Sequence, residues 1–244
     1  MGNASSRQQA IIENFCHQLA SLFGQELQSI VLYGSAAGQA YHPKQSDFNF
    51  MVVLSENGLK ALSKTSALVK KWKKNRTAMP LFVSQEYIQN SLDSFPVEFL
   101  NIQSSYKVIT GIDVMADIRI DKQDVRLQCE RELKGKLLHL REEYILTQGK
   151  TRAMKQLISR SIPTFTAIFN ALLFLSNKPI PDNKQATILD ACKEFKEIDE
   201  TLFSDLLKVR SGDLKLKRDE LVSKIELYIH QIQLLSQTID QLTL

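Results

Sequence analysis

The sequence predicts an α+β protein, with a mixed-sheet domain over residues 1–121 and an all-α helical bundle over 122–244. Three observations predict it. Short β-type runs alternate with helical patterns in the first half. After about Asp121 the β signal almost vanishes. The last stretch carries a heptad of apolar residues, which belongs to a packed helix.

Each element follows from local pattern. Ile11, Ile12, Phe15, Leu19 and Leu22 recur at helical spacing over 8–23, and Gly24 can stop that helix. Ile30–Tyr33 is a compact β-type run ending at Gly34. Asp47–Leu54 alternates and predicts a second strand. Residues 56–75 read as one helix, with Leu59, Leu62, Leu68 and Trp72 turned inward. Leu81-Phe82-Val83 predicts a third strand, after which Ser84 caps a short helix through Asn90. Val97–Ile102, after Pro96, reads as a fourth strand. Helices are then expected over 122–146 and 151–176, the second apolar on nearly every side from Ile162 to Leu175 and open to a kink at Pro163. Shorter helices follow over 184–196 and 199–209. The last covers 214–242, with Leu221, Ile225, Tyr228, Ile232, Leu235, Ile239 and Leu242 in strict 4-3-4-3 spacing. That seam serves either a bundle helix packed inside its own chain or a homodimer contact.

Composition narrows the partners. A net charge of +4 permits anionic ligands but lacks the strong basic bias of a dedicated nucleic-acid binder. Cys16, Cys129 and Cys192 are far apart and odd in number, which argues against a disulfide framework and fits a reducing, cytoplasmic compartment. The apolar run Ile162–Leu175 is shorter than the roughly 20 residues of a membrane span, so no membrane partner is expected.

The chemistry gathers at Leu32-Tyr33-Gly34-Ser35 and Ser46-Asp47-Phe48-Asn49, each on its own expected strand. Gly34, without a Cβ, lets the backbone approach a phosphate closely. A helix starting at Ser35 would offer N–H groups and a hydroxyl to a triphosphate. Positions 47 and 49 project from one face of a strand, so two carboxylates there could bridge metal ions. His42 lies in the loop between the two halves.

This pattern resembles the DNA polymerase beta-type nucleotidyltransferase superfamily. There an apolar-Gly-Ser turn is followed, after a short spacer, by Asp-apolar-Asp on a strand, and a later strand supplies a third carboxylate. The small bacterial members, aminoglycoside nucleotidyltransferases among them, pair this domain with a C-terminal helical bundle. Motifs carry the resemblance over roughly residues 28–102; architecture alone carries it beyond. It implies transfer of a nucleoside monophosphate from an NTP, with Mg2+, to a hydroxyl of a small molecule or protein. Asp47 would be the main metal ligand and Glu98 the third ligand or general base. Gly34, Ser35 and Ser46 would hold the nucleotide.

One position departs from the family. Asn49 stands where the second Asp belongs. Its amide oxygen can still ligate a metal, but half the paired negative charge is gone, so metal affinity and rate should fall steeply. The alternative is a catalytically inactive nucleotide-binding or assembly module of the same fold.

Two further features have competing readings. Lys70, Lys71, Lys73, Lys74 and Arg76 surround Trp72, as a phosphate contact or as a solvated helix end. On the helix over 122–146, Arg126, Arg131, Lys134 and Lys136 could neutralise phosphate. Lys134 and Lys136 could instead pair with Glu130 and Glu132 at i,i+4. Gly135, costing about 1 kcal/mol in that helix, suggests close approach by another helix or a ligand.

Overall fold

The structure, a computed structural model, describes residues 2–38, 47–181 and 183–242, with side chains from residue 6 onward and that of Lys184 excepted. The chain divides into two compact units. One comprises Met1–Leu92 and Asn101–Arg119, the other Asp93–Leu100 and Ile120–Leu244.

The first unit is built on a four-stranded mixed sheet. Strands β1 (Leu27–Tyr33), β2 (Asn49–Leu54), β3 (Leu81–Val83) and β4 (Tyr106–Gly111) lie in the order β3-β2-β1-β4. β1 runs antiparallel to both β2 and β4, and β3 runs parallel to β2. Alternation explains which side chains go inward. Ile30 and Leu32 of β1 join Phe48, Phe50, Val52 and Leu54 in one buried cluster. Helix α1 (Gly2–Phe23) packs there with Ile12, Phe15, Leu19 and Phe23, and Phe15 stacks on Phe50 at 4.0 Å. Val31, Met51 and Val53 point to the opposite face and are buried too.

The stretch over 56–75 is not one helix. It breaks into α2 (Glu56–Lys60), a 3-10 segment (Leu62–Leu68) and α3 (Val69–Lys74). Ser55 caps α2 by accepting from the Gly58 N–H, and Thr65 turns its hydroxyl onto the Leu62 carbonyl. Such local side-chain bonds compete with a continuous helix. Trp72 is nonetheless buried as the pattern required, with its Nε1 donating to Gln18.

The expected strand over 97–102 is also corrected. Those residues belong to α5 (Pro96–Ser104), which follows α4 (Gln85–Gln89), itself capped by Ser84 as expected. Pro96 opens a helix here, where its missing N–H costs nothing. Val97 and Leu100, at helical spacing, join the core of the second unit. The fourth strand is β4, nine residues later, where Ser29 faces Gly111 and Tyr33 faces Tyr106.

The second unit is all helical: α6 (Lys122–Leu146), α7 (Thr151–Leu175), α8 (Lys184–Glu194), α9 (Glu200–Ser211) and α10 (Arg218–Asp240). Carboxylates and an amide fix the starts. Asp121, Asn183 and Asp199 accept from backbone N–H groups of α6, α8 and α9. Helix α7 is central and packs against the other four. By length and composition it could cross a membrane, which revises the shorter estimate from its apolar run alone. Its apolar residues Phe165, Ile168, Phe169 and Leu172 are instead buried in the bundle. Edge-to-face rings link α7, α9 and α10 through Phe165, Phe169, Phe203 and Tyr228.

The heptad seam of α10 is consumed inside this unit. Leu221, Ile225, Tyr228, Ile232, Leu235 and Ile239 are all fully buried. Of the two readings of the 221–242 seam, packing inside its own chain accounts for these six residues, which leaves none of them open for the homodimer contact.

Gly111 ends β4 with φ +86°, and a Cβ there would fall 1.9 Å from the Gln28 carbonyl oxygen. Gly111→Ala should destabilise the protein by about 3 kcal/mol or more, measured by chemical denaturation.

Candidate functional site

The register of β1 against β2 brings the two halves of the signature together. Tyr33 pairs with Asn49, so Gly34 follows β1 at the end where β2 begins. A Cβ on Gly34 would sit 3.4 Å from the Asn49 side-chain nitrogen. Gly34 has φ +72°, a conformation glycine adopts without steric cost.

The turn after β1 is short. Gly34–Ala36 forms a single 3-10 turn, not the start of a long helix. The Gly34 N–H already donates to the Ser105 carbonyl at 2.8 Å, and the Ser105 hydroxyl donates back to the Gly34 carbonyl. The Gly34 N–H is thus already engaged, and the helix expected to start at Ser35 is replaced by that single turn. Ser35 follows directly. Ser46 and His42 lie outside the described residues.

Asp47 has a protein cation beside it. Its Oδ1 accepts from the Arg76 Nε at 3.1 Å, with both side chains about half exposed. The backbone sets this pair. The Phe48 N–H donates to the Arg76 carbonyl at 2.9 Å, the Ala78 N–H donates to the Phe48 carbonyl, and Phe48 bridges Thr77 in parallel. Arg76 adopts φ +57°, an uncommon conformation for a side-chain-bearing residue. Of the basic run, then, Arg76 reaches the signature, while Lys70, Lys71, Lys73 and Lys74 are exposed and Trp72 turns into the core. Sequence reasoning grouped Arg76 with its neighbours. The contact is a pairing across 29 positions, which no local pattern reveals.

The third carboxylate is not on a strand. β3 and β4 carry neither Asp nor Glu. Glu98 is exposed on α5, in the helical unit, and accepts from the Gln128 amide at 2.7 Å. Gln128 is buried and also donates to Glu132, while its oxygen accepts from the Val97 N–H. Asp113, just past β4, is committed to a turn, accepting from the Met115 and Ala116 N–H groups.

These donors do not fit a paired magnesium site. Mg2+ takes hard oxygen ligands in near-octahedral geometry, and paired ions need paired charge. The strand pair offers one carboxylate, already facing a guanidinium, and one neutral amide. Among the described residues no cluster of three His, Cys, Asp or Glu side chains could hold a metal.

No protein-family model matches the chain, and no curated protein matches it. Among solved structures it is similar to spectinomycin adenyltransferase AAD(9) from Enterococcus faecialis, determined with ATP and spectinomycin. The likeness covers 90% of this chain and 97% of that one, at a TM-score of 0.55 and 13% sequence identity. It shows a shared fold: a mixed sheet followed by a helical unit.

Gly34→Ala forces a left-handed conformation on a residue with a Cβ against Asn49. It should cost about 1–2 kcal/mol of stability, read as a lowered denaturation midpoint with unchanged slope.

Proposed function

We propose that this chain is a nucleotide-binding module of the nucleotidyltransferase fold that no longer transfers a nucleoside monophosphate. The observation that carries the reading is the Asp47–Arg76 ion pair beside a neutral Asn49. In an active member the strand pair would present two negative charges to two dications. Here one carboxylate is matched by one guanidinium, and the formal charge of the three side chains is zero. A dication gains little from such a site. An anionic nucleotide is repelled by one carboxylate only, which is already paired. The Gly34 turn, retained beside Asn49, keeps the close backbone approach that a phosphate needs.

The competing reading is magnesium-dependent transfer to a hydroxyl of a small molecule or protein. The extent of the likeness to an adenyltransferase holding ATP and spectinomycin favours it. In that reading Asp47 is the principal metal ligand, Asn49 an altered one, and Glu98 the third ligand or general base.

The two readings predict opposite signs for one substitution. Calorimetric titration with ATP, GTP, CTP and UTP should give binding that does not require magnesium. Asp47→Ala removes a negative charge from the site, so it should tighten binding by about three- to tenfold. Magnesium-dependent binding that disappears in Asp47→Ala, or turnover above that variant, establishes the competing reading. Binding of none of the four nucleotides at millimolar concentration rejects both.

A further inference from the structure

Helix α6 presents two different apolar faces. Val125, Cys129, Leu133, Leu137 and Leu140 are buried in the bundle core. On the other side Leu127, Leu138, Ile145 and Leu146 are exposed by 52, 59, 75 and 71%. At about 100° per residue these four, with Arg131, Gly135 and Glu142 between them, fall within roughly one quadrant of the helix. Scattered exposed leucines need no explanation, but an aligned set on one helix does.

Gly135 sharpens the question. A Cβ there would meet nothing within 4 Å, so no contact inside the chain requires glycine. Yet glycine weakens a helix interior. Arg131 makes no hydrogen bond or ion pair among the described residues, and Glu142 holds only an exposed contact to His139 at 3.2 Å.

The stripe is complementary to itself. We infer that this face of α6 binds α6 of a second copy, antiparallel, about a twofold axis between Lys136 and Leu137. In that register Leu127 lies level with Ile145 and Leu146 of the second copy. Arg131 meets Glu142 of the second copy, and Leu138 drops over its Gly135. Every contact occurs twice, as a twofold interface demands. The opposite charges sit at mirror positions, which a surface made for an unrelated partner has no reason to show. Glycine at the crossing lets the backbones approach and gives Leu138 its hole. The stripe from Leu127 to Leu146 runs about 28 Å at 1.5 Å per residue. A single helix pair of that length lies at the small end of specific interfaces, so the dimer is reversible, with a dissociation constant on the order of 10 μM.

Sedimentation equilibrium of the full chain, from about 1 to 300 μM, tests the inference. A monomer–dimer equilibrium is expected. Arg131→Glu and Glu142→Arg should each weaken it about tenfold, and the double variant should return it to near the wild-type value, because the swap rebuilds the pair with reversed signs. Gly135→Gln should raise the melting temperature of the monomer while weakening the dimer, two effects of opposite sign that a merely structural role cannot give. Monomer mass at every concentration overturns the inference. So does a dimer indifferent to all three positions. Nucleotide binding is not involved in either outcome.

Discussion

The pairing of β1 with β2 is the constraint on which the signature depends. Two short motifs, more than ten residues apart in the chain, become neighbours only because Tyr33 lies opposite Asn49. A slip of one residue would turn Asp47 and Asn49 to the face packed by α1 and carry Phe48 and Phe50 to the opposite one. The phenylalanines prevent it. Phe50 stacks on Phe15, and Phe48 lies 6.4 Å from Phe50 in the same aromatic group. The polar residues of the strand are thus held in place by the apolar ones behind them.

The same strand recruits Arg76. Because Phe48 exchanges backbone hydrogen bonds with Arg76 and Ala78, the guanidinium is delivered to Asp47 by the ladder itself and not by a flexible loop. An exposed ion pair contributes little to stability, on the order of 0–1 kcal/mol. Its consequence is electrostatic: it sets what the carboxylate is available for.

Much of this was legible in the sequence, and what was not has physical causes. The helical unit was readable because α7 and α10 bury long periodic faces, while the caps that fix the helix starts, Asp121 and Asp199, emerge only from the structure. The signature was readable as two strand-linked motifs. Three things were hidden. Pro96 suits both a strand start and the first turn of a helix, and Val97 and Leu100 after it went to the helical core, so Glu98 was placed on a strand it does not occupy. The heptad of α10 could not say whether its partner was its own chain; the buried seam answers that. Arg76 was visible only as part of a basic run, since its role comes from a long-range pairing.

The position of Trp72 gives the two units separate optical voices. It is the sole tryptophan of the chain, and it is buried in the sheet unit among Phe15 and Phe82. Indole emission therefore follows the melting of that core alone. Far-ultraviolet ellipticity is dominated by the long helices of the other unit. Whether the two curves superimpose says directly whether the halves of this protein unfold as one cooperative body or in sequence.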